Sequence, residues 1–462
     1  MARHVLVPGA LALALTAMPQ AKAANDADLA EIREQIRSLR QSYESRIEAL
    51  EKRLKEAEAK PAGTSPPAPI PVAAGAAPPA PVPGGVASAN AFNPALSVVL
   101  QGNYASLQRD PGQYAIRGFA PGGDIGPGKR GFSLAESEIG IAANVDDRFT
   151  GKLIASLTAD EKVVVEEAYG IYTAAPAGIV PRFGRFFSGI GYLNEQHPHV
   201  YDFYGAPLAY EALLGGKYTQ DGVQAKWIAP IDHFLELGAE AGSGEGFPGS
   251  ATSRNGGASA AVYAHSGGDV GDSSSWRAGV SLLRTKAKAR EWSQADLAGN
   301  DARLAFSGRS DVAIADFVWK WAPGGNARAT SFKLQGEYLR RQETGDLAYE
   351  ANASGPAQDA VYRSTQSGWY LQGVYQFMPA WRVGVRHDRL SVGTLDYGDN
   401  AASLGIDGFA PKRTSVMVDW SPSEFSRIRA QFSRSDTTPG LPDNQFFLQY
   451  ILSLGAHGAH RY

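Results

Sequence analysis

From about Ala95 to Tyr462, apolar and polar residues alternate in segments of roughly ten residues separated by turn formers. The pattern predicts about sixteen strands, approximately 95–107, 133–144, 149–159, 163–174, 179–188, 221–229, 233–243, 259–266, 275–285, 310–321, 328–342, 365–378, 381–391, 412–420, 425–435 and 444–455. Connections after even-numbered strands are short, as in Val145-Asp146-Asp147-Arg148, Ala175-Pro176-Ala177-Gly178, Pro379-Ala380 and Ser421-Pro422-Ser423-Glu424. Those after odd-numbered strands are mostly long, including 108–132, 189–220, 286–309, 343–364 and 392–411. Short turns on one rim and long loops on the other are the asymmetry of a membrane-spanning antiparallel β-barrel. A soluble sandwich has no reason to show it.

Several predicted strands sort into two faces. Phe446, Leu448, Tyr450, Leu452 and Leu454 share one side of the last strand, and Gln445, Gln449 and Ser453 share the other. Val223, Ala225 and Trp227 alternate with Gln224 and Lys226. Ile428, Ala430 and Phe432 alternate with Arg427, Arg429 and Gln431, and Trp381, Val383 and Val385 with Arg382 and Arg386. A charge facing lipid costs ~2–4 kcal/mol at the bilayer midplane, so the apolar side faces out and the charged side faces an aqueous lumen. Trp227, Trp276, Trp319, Trp321, Trp381 and Trp420 all fall near the short-turn rim, as an interfacial girdle would. Segments 163–174 and 179–188 sort poorly, and their faces stay unassigned.

The chain before Ala95 follows different rules. Arg3 and His4, the apolar run Val5 to Met18 and the small-x-small Ala21-Lys22-Ala23 predict a secretory signal over 1–23. In the periplasmic segment 24–59, Leu29, Ile32, Ile36, Leu39, Tyr43, Ile47, Leu50, Leu54 and Ala57 fall at three- and four-residue steps. That is an α-helical coiled-coil seam, and isoleucine at several core positions is compatible with a trimer. Residues 60–92 are rich in Pro, Ala and Gly and form an extended linker. The barrel then occupies 93–462, giving an all-β fold with a helical coiled coil ahead of it.

Composition excludes several classes. There is no cysteine, hence no disulfide or thiolate site, and 44 basic against 47 acidic residues point to no nucleic-acid partner. Hydropathy is that of a soluble protein because a barrel wall alternates.

Three stretches then carry a resemblance. They are Phe92-Asn93-Pro94-Ala95 leading into Leu100-Gln101-Gly102, the run Arg185-Phe186-Phe187-Ser188-Gly189-Ile190-Gly191-Tyr192-Leu193-Asn194-Glu195-Gln196-His197, and the closing Gln449-Tyr450-Ile451-Leu452-Ser453-Leu454-Gly455-Ala456-His457. Together they resemble porin-type proteins of proteobacteria, some labelled zinc-regulated outer-membrane receptors, with a barrel similar to that of the phosphate-selective porins. The resemblance implies a homotrimeric channel in the outer-membrane lipid for small hydrophilic or charged solutes, anions among them. Phosphate selectivity does not carry over, because the lysine- and arginine-rich lumen of those porins is not matched residue by residue.

By the same resemblance, loop 189–220 folds inward and narrows the pore. It carries Glu195, His197, His199, Asp202, Glu211 and Lys217, while Arg382, Arg386, Arg427 and Arg429 line the wall. An acidic loop before a basic wall creates a transverse field that orients polar solutes. His197-Pro198-His199 has zinc-type donors, but no third ligand is visible in the sequence, so the pair reads as pore lining and no metal or cofactor is assigned. Ser188, His199 and Asp202 form no recognisable catalytic motif, and the chain reads as a non-enzyme. Two alternatives stand beside the channel. One is an anchor tethering the envelope, through its coiled coil, to peptidoglycan, and the other is a zinc-linked uptake channel.

Overall fold

The computed structural model describes residues 94–455 except 121, 124, 251–254, 352–357 and 406–407. The predicted signal, coiled coil and linker lie outside the described residues. Alternation in the remainder folds into seventeen strands of one antiparallel sheet. In order they are β1 (Ala95–Leu107), β2 (Gly131–Leu134), β3 (Ser137–Asn144), β4 (Phe149–Leu157), β5 (Val163–Tyr172), β6 (Ile179–Phe187), β7 (Thr219–Ile228), β8 (Phe234–Gly242) and β9 (Ser259–Val270). There follow β10 (Ser274–Ala295), β11 (Asp301–Trp321), β12 (Ser331–Glu350), β13 (Gln358–Met378), β14 (Trp381–Asp396), β15 (Lys412–Ser423), β16 (Ser426–Asp436) and β17 (Asp443–Gly455).

β1 pairs with β17 from Ser97–Gly455 to Leu107–Gln445, which closes the sheet and removes its edges. Both β2 and β3 pair with β1, so they make one stave broken at Ala135–Glu136, and the barrel has sixteen staves. The expected single strand 133–144 is therefore interrupted. Ser137 Oγ accepts from the Gln101 amide at 3.0 Å across the gap, and the Gln101 side chain donates to the Glu136 carbonyl.

The outer face is an apolar belt. Val280 and Leu282 on β10 are 62% and 59% exposed, and Phe446, Leu448, Tyr450, Leu452 and Leu454 on β17 project the same way. Trp276 pairs with Trp319 and Trp381 with Trp420, the latter two rings stacked at 6.0 Å beside the short turns. Gln224, Gln372, Arg386, Arg429, Gln431 and Gln449 are buried on the inner face. Burying polar groups inside while exposing apolar ones inverts a soluble core, and only lipid outside makes that arrangement favourable. The barrel spans a membrane by its strands. No helix among the described residues is long and apolar enough to do so.

The expected loops 286–309 and 343–364 are mostly strand instead. β10 to β13 run 20 to 22 residues, about twice the ~9–11 that cross a bilayer, so these hairpins rise above it. The polarity rule reverses there. Arg284, Arg309 and Arg340 face outward to water, while Leu304, Phe306, Leu347, Tyr349 and Tyr362 pack inward. The lipid-out rule ends at that level, and so did the expected strands.

Candidate functional site

The connection between β6 and β7 does not stand out in solvent. Phe186 to Leu214 contains a long run of buried residues, and the segment crosses the lumen from wall to wall. Its one α-helix, α1 (Leu208–Leu214), is buried on every side, and its sequence is apolar apart from Glu211 and the Tyr210 hydroxyl. Gly215 ends it at φ 68, the left-handed conformation that glycine adopts without strain.

Wall carboxylates hold the start of this loop. Glu240 on β8 accepts from Ser188 Oγ at 2.6 Å and from the Gly189 amide at 2.8 Å. On β12, Glu337 accepts from the Tyr192 and Leu193 amides at 3.1 and 3.0 Å, from Tyr210 at 2.8 Å and from Tyr370 at 2.6 Å. Asn194 closes the loop base by donating to the Ser188 and Tyr218 carbonyls and accepting from the Tyr218 amide. These bonds satisfy backbone amides and carbonyls, and three buried hydroxyls, that would otherwise be stranded without water.

The middle of the loop meets the arginines anticipated from sequence. Asp202 pairs with Lys333 at 2.7 Å and with Arg382 at 3.0 Å, and Arg382 also grips Asp419 at 2.6 Å. Arg427 donates to the His199 carbonyl, Arg429 to the Tyr201 carbonyl at 2.6 Å and Arg386 to the Gly205 carbonyl at 3.1 Å. All four touch residues 199–205. They stand in direct contact with the loop rather than across an open gap from it. Glu211 is likewise paired, with Arg413 at 2.9 Å, and Glu195 with Lys226. Burial opposes a charged Glu195, but Lys226 and Arg182 outweigh it and bring its pKa down to about 2. Burial also opposes charge on Asp202, yet Lys333 and Arg382 hold it below the usual carboxylate range. Both loop acids are therefore ionised at neutral pH.

His197 and His199 lie where the loop meets β3 and β5. His197 Nδ1 is 2.9 Å from Glu166 and 3.2 Å from Glu138, and its Nε2 is 3.0 Å from Glu167. His199 Nδ1 is 2.8 Å from the other oxygen of Glu138. Burial disfavours a charged imidazole, but Glu138 and the flanking carboxylates outweigh it and push the His197 pKa up to about 10. A bulge explains the crowding. Ile154 pairs with Glu167 and Ala155 with Val165, so Glu166 is the extra residue and two consecutive glutamates turn inward.

A polar gap remains between the loop and the wall β15–β17. Glu211, Arg413, Gln431, Ser433, Gln445 and Tyr204 line it. On the long-loop side, Ile116, Phe119, Leu404 and the inward faces of the tall hairpins pack against α1 in one apolar cluster.

No protein-family model matches the chain. A protein of Aquifex aeolicus (strain VF5), described as uncharacterized, is 29% identical over 404 residues and matches 81% of each chain. The outer membrane channel DcaP of Acinetobacter baumannii is similar with a TM-score of 0.48 at 12% identity, over 78% of this chain and 97% of that one. OmpT, an outer membrane protein of Vibrio cholerae, gives 0.47 at 13% identity over 80% and 99%. The anion-selective porin from Comamonas acidovorans gives 0.46 at 8% identity over 78% and 99%.

Sequence reasoning missed the acids that receive the loop. Glu138, Glu240, Glu337 and Asp388 (which accepts from the Leu208 amide at 2.9 Å) sit at inward positions of wall strands. The available signal was an acid on the lumen face of an otherwise sorting strand. Glu166 and Glu167 had no such signal, because the bulge breaks the period of two.

Proposed function

We propose that this chain is an outer-membrane channel that passes small hydrophilic solutes by diffusion and favours anions. The observation that carries the reading is the closed barrel with its apolar belt outside, its charged and amide-rich lumen inside, and a loop tied across that lumen. Lys320 and Lys333 are register partners on β11 and β12, and Arg277 and Arg382 face the same space. Like charges directly opposite destabilise a strand pair, so this placement supports a role for them in drawing anions inward. Asp202 is the loop acid that meets this group, and a small polar gap lies between the loop and β15–β17. The coiled-coil seam expected over 26–58 supports a trimer.

The tether reading parts from the channel reading in one assay. Liposomes containing the purified protein are expected to swell in iso-osmotic small sugars, and equally so with a chain lacking residues 26–90. Absence of swelling with both chains, each shown to be folded, would overturn the channel and favour the anchor.

A further inference from the structure

Two backbone irregularities and one loop segment converge on a single point of the inner wall. The bulge at Glu166 and the stave break at Ala135–Glu136 bring glutamates from β5 and β3 to face His197 and His199. The donor atoms of Glu138, His197 and His199 all lie within 4.8 Å of one another, the one such grouping among the described residues. The rings stack at 5.7 Å, and Pro198 together with the bond from Arg427 to the His199 carbonyl holds the backbone between them.

The supporting shell has the form that metal sites use. A ligating histidine donates its second N–H to a carboxylate, which sets the tautomer and turns the other nitrogen toward the ion. Glu167 stands 3.0 Å from His197 Nε2 and is itself held by Lys152 at 2.8 Å. His197 Nδ1 then faces Glu138 and Glu166, and an imidazole lone pair cannot rest against two carboxylates unless something positive lies between them. A second proton or a metal ion can fill that place. Zinc–nitrogen and zinc–oxygen bonds of ~2.0–2.2 Å put neighbouring ligands of a tetrahedral ion about 3.3–3.5 Å apart. The 2.8–3.2 Å separations from Glu138 to the two imidazoles are already close to that range. Mixed imidazole and carboxylate donors suit zinc-type ions and do not suit magnesium, which prefers oxygen and water.

We propose that Glu138, His197 and His199 bind one divalent transition-metal ion of the zinc type, with a Glu166 oxygen as fourth donor and Glu167 as the positioning residue behind His197. The ion ties the root of the inward loop to β3 and β5. This goes beyond the channel reading and does not depend on it, since metal binding is measured on detergent-solubilised protein without any current.

The test is calorimetric titration of the chelator-stripped full chain with Zn²⁺, repeated in excess Mg²⁺, with X-ray absorption on the loaded protein. The expected result is one Zn²⁺ per protomer, undisturbed by Mg²⁺, with imidazole nitrogens in the zinc shell. Glu167→Gln is expected to weaken binding about 10- to 100-fold, and His199→Gln and Glu138→Gln by more. Absence of stoichiometric uptake by the wild type, equal competition by Mg²⁺, or a zinc shell without imidazole would each overturn the proposal. Wild-type affinity in folded His199→Gln and Glu138→Gln would do the same. Because the absorption measurement uses the wild type, a variant that fails to fold leaves the test intact.

Discussion

Glu337→Ala is expected to release the inward loop while leaving the barrel closed. The carboxylate accepts from two loop amides and two buried tyrosine hydroxyls, so its loss strands four donors. A stranded buried donor costs about 1–3 kcal/mol, and even a fraction of that sum exceeds the ~2.7 kcal/mol that corresponds to a hundredfold change in an opening equilibrium. Chymotrypsin should therefore cut within 189–218 at least about a hundredfold faster than in wild type. Heat-modifiable gel migration should meanwhile report an intact barrel, because the ladder from β1 to β17 does not involve Glu337. Glu337→Gln should fall between the two, since an amide keeps one accepting oxygen but turns a donor toward the others. Wild-type resistance in Glu337→Ala would show that Glu240, Asn194 and the arginines suffice without it.

Arg277→Gln, Lys320→Gln and Lys333→Gln combined are expected to reduce anion preference. Lys320 and Arg277 make no hydrogen bond to the loop, and Arg382 still grips Asp202 when Lys333 is gone. Arg277 and Lys333 also lie over the Tyr192 ring of the loop, so unchanged chymotrypsin resistance is the control that the loop stays in place. Unit charges at ~4 Å interact by about 1 kcal/mol even in bulk water, so losing three should lower the chloride-to-potassium permeability ratio roughly three- to tenfold. The reversal potential in a KCl gradient near 0.1 M, where the Debye length is ~10 Å, reads this directly. An unchanged ratio would remove the cationic cluster from any account of selectivity.

The wall was legible because one physical rule governs it. β1 begins and ends where alternation placed it, and β17, β16 and β14 present the faces their sequences predicted. The rule failed where its premise did. Above the belt, Arg309 and Arg340 face out and Leu304 and Tyr362 face in, because water replaces lipid there and an apolar cluster replaces the aqueous lumen. It also failed at Glu166, where one inserted residue breaks the period, and in β6, where Gly184 takes φ 123 and a Cβ would meet the Ala168 carbonyl oxygen at 2.2 Å. Of the expected site, the structure brings residues 199–205 of the loop into contact with the four arginines. The loop's other partners were not legible, since a hydrogen bond from Tyr192 to Glu337 joins residues 145 apart in sequence and leaves no local pattern.

As proposed, this barrel conducts through a lumen that the loop at 188–218 narrows without sealing. Planar-bilayer recording of the purified full-length protein tests it most directly. Discrete current steps that scale with the conductivity of the bathing salt are expected, with a reversal potential in a KCl gradient on the anion side. A folded barrel that inserts and yields no steps at any voltage would contradict it.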